Sequence, residues 1–206
     1  MINLYNQDCL EAMKEMADNQ FDLAIVDPPY RNTNENAPTP DMRTNRFVKK
    51  QKLGTKPNQE YFKELYRVSR KQIIWGANNF NLDFKGFIVW DKQVFPKDKM
   101  TLRFSAAEIA SLSENITTIS KIFTFPTAGQ NRIHPTQKPI QLYEWILMTY
   151  AKEGYKILDT HLGSGSLAIA CHNLGYDLTG YEIDKEYFEA AQKRINIHKQ
   201  QKRLFI

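Results

Sequence analysis

The sequence predicts an α/β fold built on a parallel sheet, and three observations carry that prediction. Short apolar runs of strand length alternate with stretches whose apolar residues recur at helical spacing. A strand, a helix and a strand within the first 26 residues need a crossover connection, and a crossover makes the two strands parallel. Two strand candidates end in chemically loaded tips, Asp27-Pro28-Pro29-Tyr30 and Thr160-His161-Leu162-Gly163-Ser164-Gly165-Ser166, at the sheet edge where open α/β folds bind ligands. At 206 residues and 42% hydrophobic content the chain suffices for one domain, 1–206, with its own core.

Residues 2–5 form the first strand candidate. Asp8 is placed to cap a helix carrying Cys9, Leu10, Met13 and Met16 on one side, and Asp18-Asn19 closes it. Residues 21–26 are the next strand, which stops at Pro28-Pro29 because proline cannot donate to a sheet ladder. Residues 31–58 change character: seven basic side chains face only Glu35 and Asp41, a local charge of +5 equal to that of the whole chain. A loop of that length is either functional or a solvated insertion. In the functional reading Arg43, Arg46, Lys49, Lys50 and Lys52 contact a phosphate backbone, and the loop is flexible until it orders on binding.

Residues 60–69 read as a helix with Tyr61, Leu65 and Val68 on one face, and 72–75 and 86–90 as strands. Residues 107–112 and 117–125 are two further strands, with a hairpin through Glu114-Asn115 as their simplest connection. Pro139 suits the first turn of a helix whose inner side carries Leu142, Trp145, Ile146 and Thr149. A strand at 155–159, a helix at 167–173 capped by Gly175, and a strand at 177–181 follow. Asp184 caps the last helix, which turns Tyr187, Phe188, Ala191 and Ile195 inward.

Composition narrows the function classes. The net charge of +5 and pI near 9.1 suit a polyanionic partner. Cys9 and Cys171 make neither a disulfide framework nor a zinc site, and no metal centre is expected. No run of 18 apolar residues and no signal-peptide pattern is present, so a cytoplasmic protein with no membrane partner is expected.

The tetrapeptide Asp27-Pro28-Pro29-Tyr30 offers a carboxylate, fixed carbonyls and an aromatic ring, with no nucleophile. Such a set suits a planar group bearing an exocyclic NH2: the acceptors take the amino hydrogens and the ring stacks on the heterocycle. A plain Pro-Pro turn with Tyr30 on the surface is the competing reading. The second tip has the layout of a nucleoside site: strand, glycine turn, helix, strand, acid. Gly163 and Gly165 permit a tight turn, and the helix start can hold an anionic group. Glu182 stands 19 residues beyond Gly163, near the spacing of an acid that binds ribose hydroxyls. Only 38 residues follow Ala168, too few for the second half of a dinucleotide fold, so an adenosyl cofactor is preferred.

Taken together, these motifs resemble the DNA amino-methyltransferases that use S-adenosylmethionine, in the circularly permuted group whose catalytic motif precedes the cofactor motif. The resemblance rests on Asp27-Pro28-Pro29-Tyr30, His134-Pro135-Thr136-Gln137-Lys138-Pro139, the run from Asp159 to Ser166 and Gly180-Tyr181-Glu182-Ile183-Asp184. Asp8-Cys9-Leu10 and Trp75-Gly76-Ala77-Asn78-Asn79-Phe80 also match. It implies a Rossmann-like, seven-stranded, mostly parallel sheet with helices on both faces. It puts Asp8 near the cofactor adenine and Glu182 on its ribose. Lys138, Asp159, His161, Gly163, Ser164, Gly165 and Ser166 fall around the rest of the cofactor. Asp27, Pro28, Pro29 and Tyr30 become the catalytic set, with Phe80 as a second stacking or core ring.

The implied reaction is methylation of the N6 amine of adenine in DNA, on a base turned out of the helix. Cytosine N4, RNA and a protein amide are alternative acceptors, and a DNA-binding protein without catalysis is the alternative of another class. His161 departs from the phenylalanine frequent in the family and is expected to be neutral beside a sulfonium. The target-recognition region is short, and residues 94–130 or the basic loop take that work. The oligomeric state is left open, with a homodimer among the options.

Overall fold

One sheet of eight strands runs through the molecule in the order β1-β8-β7-β2-β3-β5-β4-β6. The computed structural model describes residues 1–30, 55–83, 85–93, 105–127, 132–134 and 136–201. In chain order the elements are β1 (Ile2–Tyr5), α1 (Cys9–Lys14), β2 (Leu23–Val26), α2 (Gln59–Val68), β3 (Gln72–Trp75) and a 3₁₀ turn at Ala77–Asn79. Then come β4 (Gly86–Asp91), β5 (Ala107–Leu112), β6 (Lys121–Thr124), α3 (Ile140–Tyr150), β7 (Lys156–Asp159), α4 (Ser166–Leu174), β8 (Asp177–Tyr181) and α5 (Lys185–Gln200). Every strand is parallel to its neighbours except β5, which is antiparallel to both β3 and β4.

Alternation along β2 shows why the sheet is covered twice. Leu23 and Ile25 enter a core with Ile73, Trp75, Leu142 and Ile146 of α3, Ile169 of α4 and Ile195 of α5. Ala24 and Val26 enter a second core with Met13 of α1 and Tyr61, Leu65 and Val68 of α2. A strand buried on both faces needs an unbroken apolar run, which Leu23-Ala24-Ile25-Val26 supplies. The helices start where the sequence provides acceptors: Asp8 takes the Leu10 N–H at 2.7 Å, Asn58 the Tyr61 N–H at 3.0 Å, and Asp184 the Tyr187 N–H at 3.0 Å.

Several expectations need correcting. The sheet has eight strands rather than seven. No hairpin forms between β5 and β6, because β5 inserts between β3 and β4 and leaves β6 only the outer edge of β4, where it pairs in parallel. The Glu114-Asn115 segment is tied elsewhere: the Asn115 amide donates to the Arg70 carbonyl at 2.6 Å and Ser113 Oγ accepts the Gln72 N–H at 3.0 Å. Pro139 is the residue before α3, extended at ψ 147, and not part of its first turn. The inner side of α3 is Leu142, Tyr143, Ile146 and Leu147, with Thr149 exposed.

The site is positioned by one pairing. β2 and β7 lie side by side in parallel, with Leu23 opposite Ile157 and Ala24 opposite Leu158. Their C-terminal ends therefore open on the same edge, and Asp27 and Asp159 stand on adjacent tips.

Candidate active site

Past the end of β2, Asp27 is half-buried and Pro28 is buried. Tyr30 Oη donates to Asp27 Oδ1 at 2.6 Å. The Tyr30 ring meets Phe80 edge-on, with centroids 6.4 Å apart. It lies so close to Gly76 that a Cβ there would come within 2.0 Å of it, and Gly76 holds φ +67. Phe80 itself is buried against Phe62, so it backs Tyr30 and is not among the residues lining the cavity.

The second oxygen of Asp27 faces the ammonium of Lys138, a side chain only 2% exposed. Lys138 Nζ also lies 3.0 Å from Glu108 Oε2 and 5.0 Å from the Trp75 ring centroid. Glu108 Oε1 pairs with Lys92 Nζ at 2.5 Å. Burial alone would push Lys138 down, but Asp27 and Glu108 more than offset it and hold the amine protonated well above its ordinary range. Burial would raise Glu108, yet Lys138 and Lys92 bring its carboxyl down to about 2. The ammonium of Lys138 is thus committed to two carboxylates as well as bordering the cavity.

The tip of β7 is the other half. Asp159 is 4% exposed and accepts the His161 N–H at 3.1 Å. Burial above all, with the charges of Asp27 and Glu182 behind it, pushes its carboxyl up to about 8. His161 Nδ1 bonds Thr160 Oγ1 at 2.9 Å, which in turn meets the buried Tyr61 hydroxyl at 2.6 Å. Burial pulls His161 down to about 4, so the ring is neutral at pH 7, as expected of it from the sequence. Glu182 is fixed from both sides: Oε2 accepts the Gly163 N–H at 2.9 Å and Oε1 the Asp184 N–H at 3.0 Å. Burial raises its carboxyl. Arg194 of α5 braces the glycine turn from behind, donating to the Ser164 carbonyl at 2.7 Å and to Ser166 Oγ at 3.0 Å.

One cavity of about 900 Å³ joins the two tips. Asp8, Asp27, Pro28, Pro29, Tyr30, Lys138, Asp159, His161, Gly163, Ser164, Ser166 and Glu182 all line it. Gly165 does not: its φ of +72 shapes the turn, and the Cβ it lacks would meet Ile195 of α5 at 2.8 Å. Arg43, Arg46, Lys49, Lys50 and Lys52 lie outside the described residues, as do most of the basic loop and residues 94–104 and 128–130 of the 94–130 stretch.

Sequence reasoning missed Glu108, Tyr61, Tyr143 and His134. Glu108 left a signal, since it stands in phase with buried Ala110 and Leu112 on β5. His134, packed on Tyr187 at 4.4 Å and held near pKa 4 by burial, opens the motif that ends in Lys138 and Pro139, and that motif was its signal.

The lining fits the expected cofactor. Its volume is that of a small-molecule site. The fixed carboxylate of Glu182 has lone pairs left for vicinal hydroxyls, and five carboxyl groups (Asp8, Asp27, Asp159, Glu182 and Asp184) against the ammoniums of Lys56 and Lys138 favour a ligand carrying positive charge.

A family profile described as DNA methylase, of the N6/N4 methyltransferases, matches residues 87–193. The type II methyltransferase M.HpaI of Haemophilus parainfluenzae is 25% identical over 234 residues, covering 92% of this chain and 72% of that protein. Among solved structures, M1.HpyAVI in complex with S-adenosylmethionine superposes with a TM-score of 0.61 at 22% identity, over 94% of this chain and 100% of that one. The cytosine-N4-specific PvuII DNA methyltransferase gives 0.63 at 12% identity, over 100% and 88%. At these identities the two structures speak to the fold alone.

Proposed function

The chain belongs to the DNA methylase family of N6/N4 amino-methyltransferases, and on that premise we propose that it methylates the N6 amine of adenine in DNA. S-adenosylmethionine is the methyl donor; when bound it supplies an electrophilic methyl carbon on a sulfonium. The observation that carries the reading is the shared cavity. The acceptor-rich tetrapeptide after β2 and the glycine turn after β7 open into the same space.

In this reading Glu182 takes the ribose hydroxyls, Asp8 borders the adenine, and Asp159 pairs with the amino group of the methionine part. Gly163, Ser164 and Ser166 shape the wall between them. The amine of adenine is conjugated with its ring and is a poor nucleophile. Asp27 and the Pro28 carbonyl accept its two hydrogens and shift lone-pair density onto the nitrogen. Tyr30 orients Asp27 through its hydroxyl and offers its ring to the base. Catalysis is positioning and electrostatics, with no covalent intermediate on the protein. The base leaves the helix, which costs a few kcal/mol. The basic 31–58 segment supplies phosphate contacts.

Adenine is preferred because cytosine-N4 members of the family usually carry serine where Asp27 stands. Digestion of methylated double-stranded DNA to nucleosides, followed by mass spectrometry, tests this. N6-methyladenine is the expected product. N4-methylcytosine would overturn the choice of base, and label in RNA or protein but not DNA would overturn the choice of substrate.

A further inference from the structure

Charges alternate along a row leading away from Asp27: Asp27 carboxylate, Lys138 ammonium, Glu108 carboxylate, Lys92 ammonium. The mechanism above uses only the first. Lys138 has three N–H donors, and three acceptors surround it: Asp27 Oδ2, Glu108 Oε2 at 3.0 Å and, more weakly, Tyr30 Oη at 3.4 Å. These directions fix the ammonium. Asp27 then receives one protein donor on each oxygen, Tyr30 on Oδ1 and Lys138 on Oδ2. A carboxylate has about four lone-pair positions, so each oxygen keeps capacity for a further donor.

We propose that Glu108 is a positioning residue for methyl transfer: it holds Lys138 so that Asp27 is oriented and keeps a lone pair for the incoming amine. The inference rests on the reading of Asp27 as the amine acceptor. Glu108 can do this because β5 runs antiparallel between β3 and β4, which carries its side chain to the same face as Trp75 and Lys138. Lys92 follows directly on β4, stands over the Trp90 ring at 5.2 Å, and balances the second charge of Glu108. Trp90 and Glu108 are register partners across β4 and β5, so the pair is held by the sheet itself. Without Glu108 the buried ammonium would keep Asp27 as its one ionic partner, with only the weak Tyr30 contact left to set its direction.

Positioning can be separated from charge with Glu108→Gln, Lys92→Gln and the double variant. Glu108→Gln adds one positive charge near a cationic donor, and the double variant restores the charge without restoring the ion pair. For Glu108→Gln we expect kcat to fall at least about tenfold, as misplacement of a reacting group does. The affinity for S-adenosylmethionine should weaken in the single variant and recover in the double, while kcat stays low in both. Recovery of kcat with charge, or a kcat of folded Glu108→Gln within about twofold of the parent, would overturn the proposal.

A readout independent of any acceptor is the ¹⁵N resonance of the Lys138 ζ-ammonium. It should be slow to exchange in the parent and broadened or shifted in Glu108→Gln, or in Lys92→Gln if the former does not fold. An unchanged resonance would also overturn the proposal. A parent that methylates no DNA would refute the function proposed above, and this resonance would still decide the role of Glu108.

Discussion

Asp159 carries a proton when the cavity holds no cation, because burial lifts its carboxyl from the usual 3.8 to about 8. In the proposed site Asp159 pairs with the amino group of the donor, which favours the ionised form, so binding is expected to expel that proton. Affinity should therefore rise with pH up to about 8 and level off above it, by up to about tenfold per unit. Calorimetry at pH 7 in two buffers of different ionisation enthalpy should register proton release, and Asp159→Asn should abolish both the release and the slope. Binding without proton release would remove Asp159 from the amino-group site. Residue types were readable here because Asp27, Asp159 and Glu182 stand at the C-terminal tips of strands, where an open α/β sheet binds its ligands. Their partners were less readable. Lys138 lies 111 positions from Asp27, and only the sheet order brings them together.

At the scale of elements, two glycines set how tightly the tips are held. Alanine at Gly165 would have to adopt a left-handed backbone, at about 1–2 kcal/mol, and push Ile195 aside, at a further ~1–3 kcal/mol. Denaturant unfolding of Gly165→Ala should show a destabilisation of that combined order. Gly76→Ala meets the Tyr30 ring instead, so it should lower kcat more than it weakens cofactor binding. Equal effects on both would mean that Tyr30 tolerates displacement. Helices and caps were legible: Asp8, Asp184 and Gly175 occupy the expected places. The β5–β6 connection was not. Chain order favours a hairpin between consecutive strands, whereas pairing of both edges of β5, with β3 and β4, is a long-range preference that no local signal records.

Over the whole molecule, charge is divided between an acidic cavity and a basic segment. Residues 31–58 carry a local charge equal to the net +5 of the chain. Replacing Lys49, Lys50 and Lys52 with glutamine should weaken DNA binding and reduce the slope of log affinity against log salt, by roughly 0.9 for each phosphate no longer neutralised. An unchanged slope would take that segment out of the interface. The α/β class and both tips were legible in the sequence, since apolar period and turn residues are local. All eight strands were legible as well; their order and the reversed β5 were not, since pairing order is settled between distant segments. All of the proposed chemistry requires that Asp27 act on the amine at a cofactor site built by the neighbouring tip. The decisive experiment is methyl transfer from tritiated S-adenosylmethionine to double-stranded DNA by Asp27→Ala, with cofactor binding measured on the same preparation. Transfer should fall at least about a hundredfold while binding stays within a few-fold of the parent. Turnover equal to the parent's would show that Asp27 has no part in the reaction.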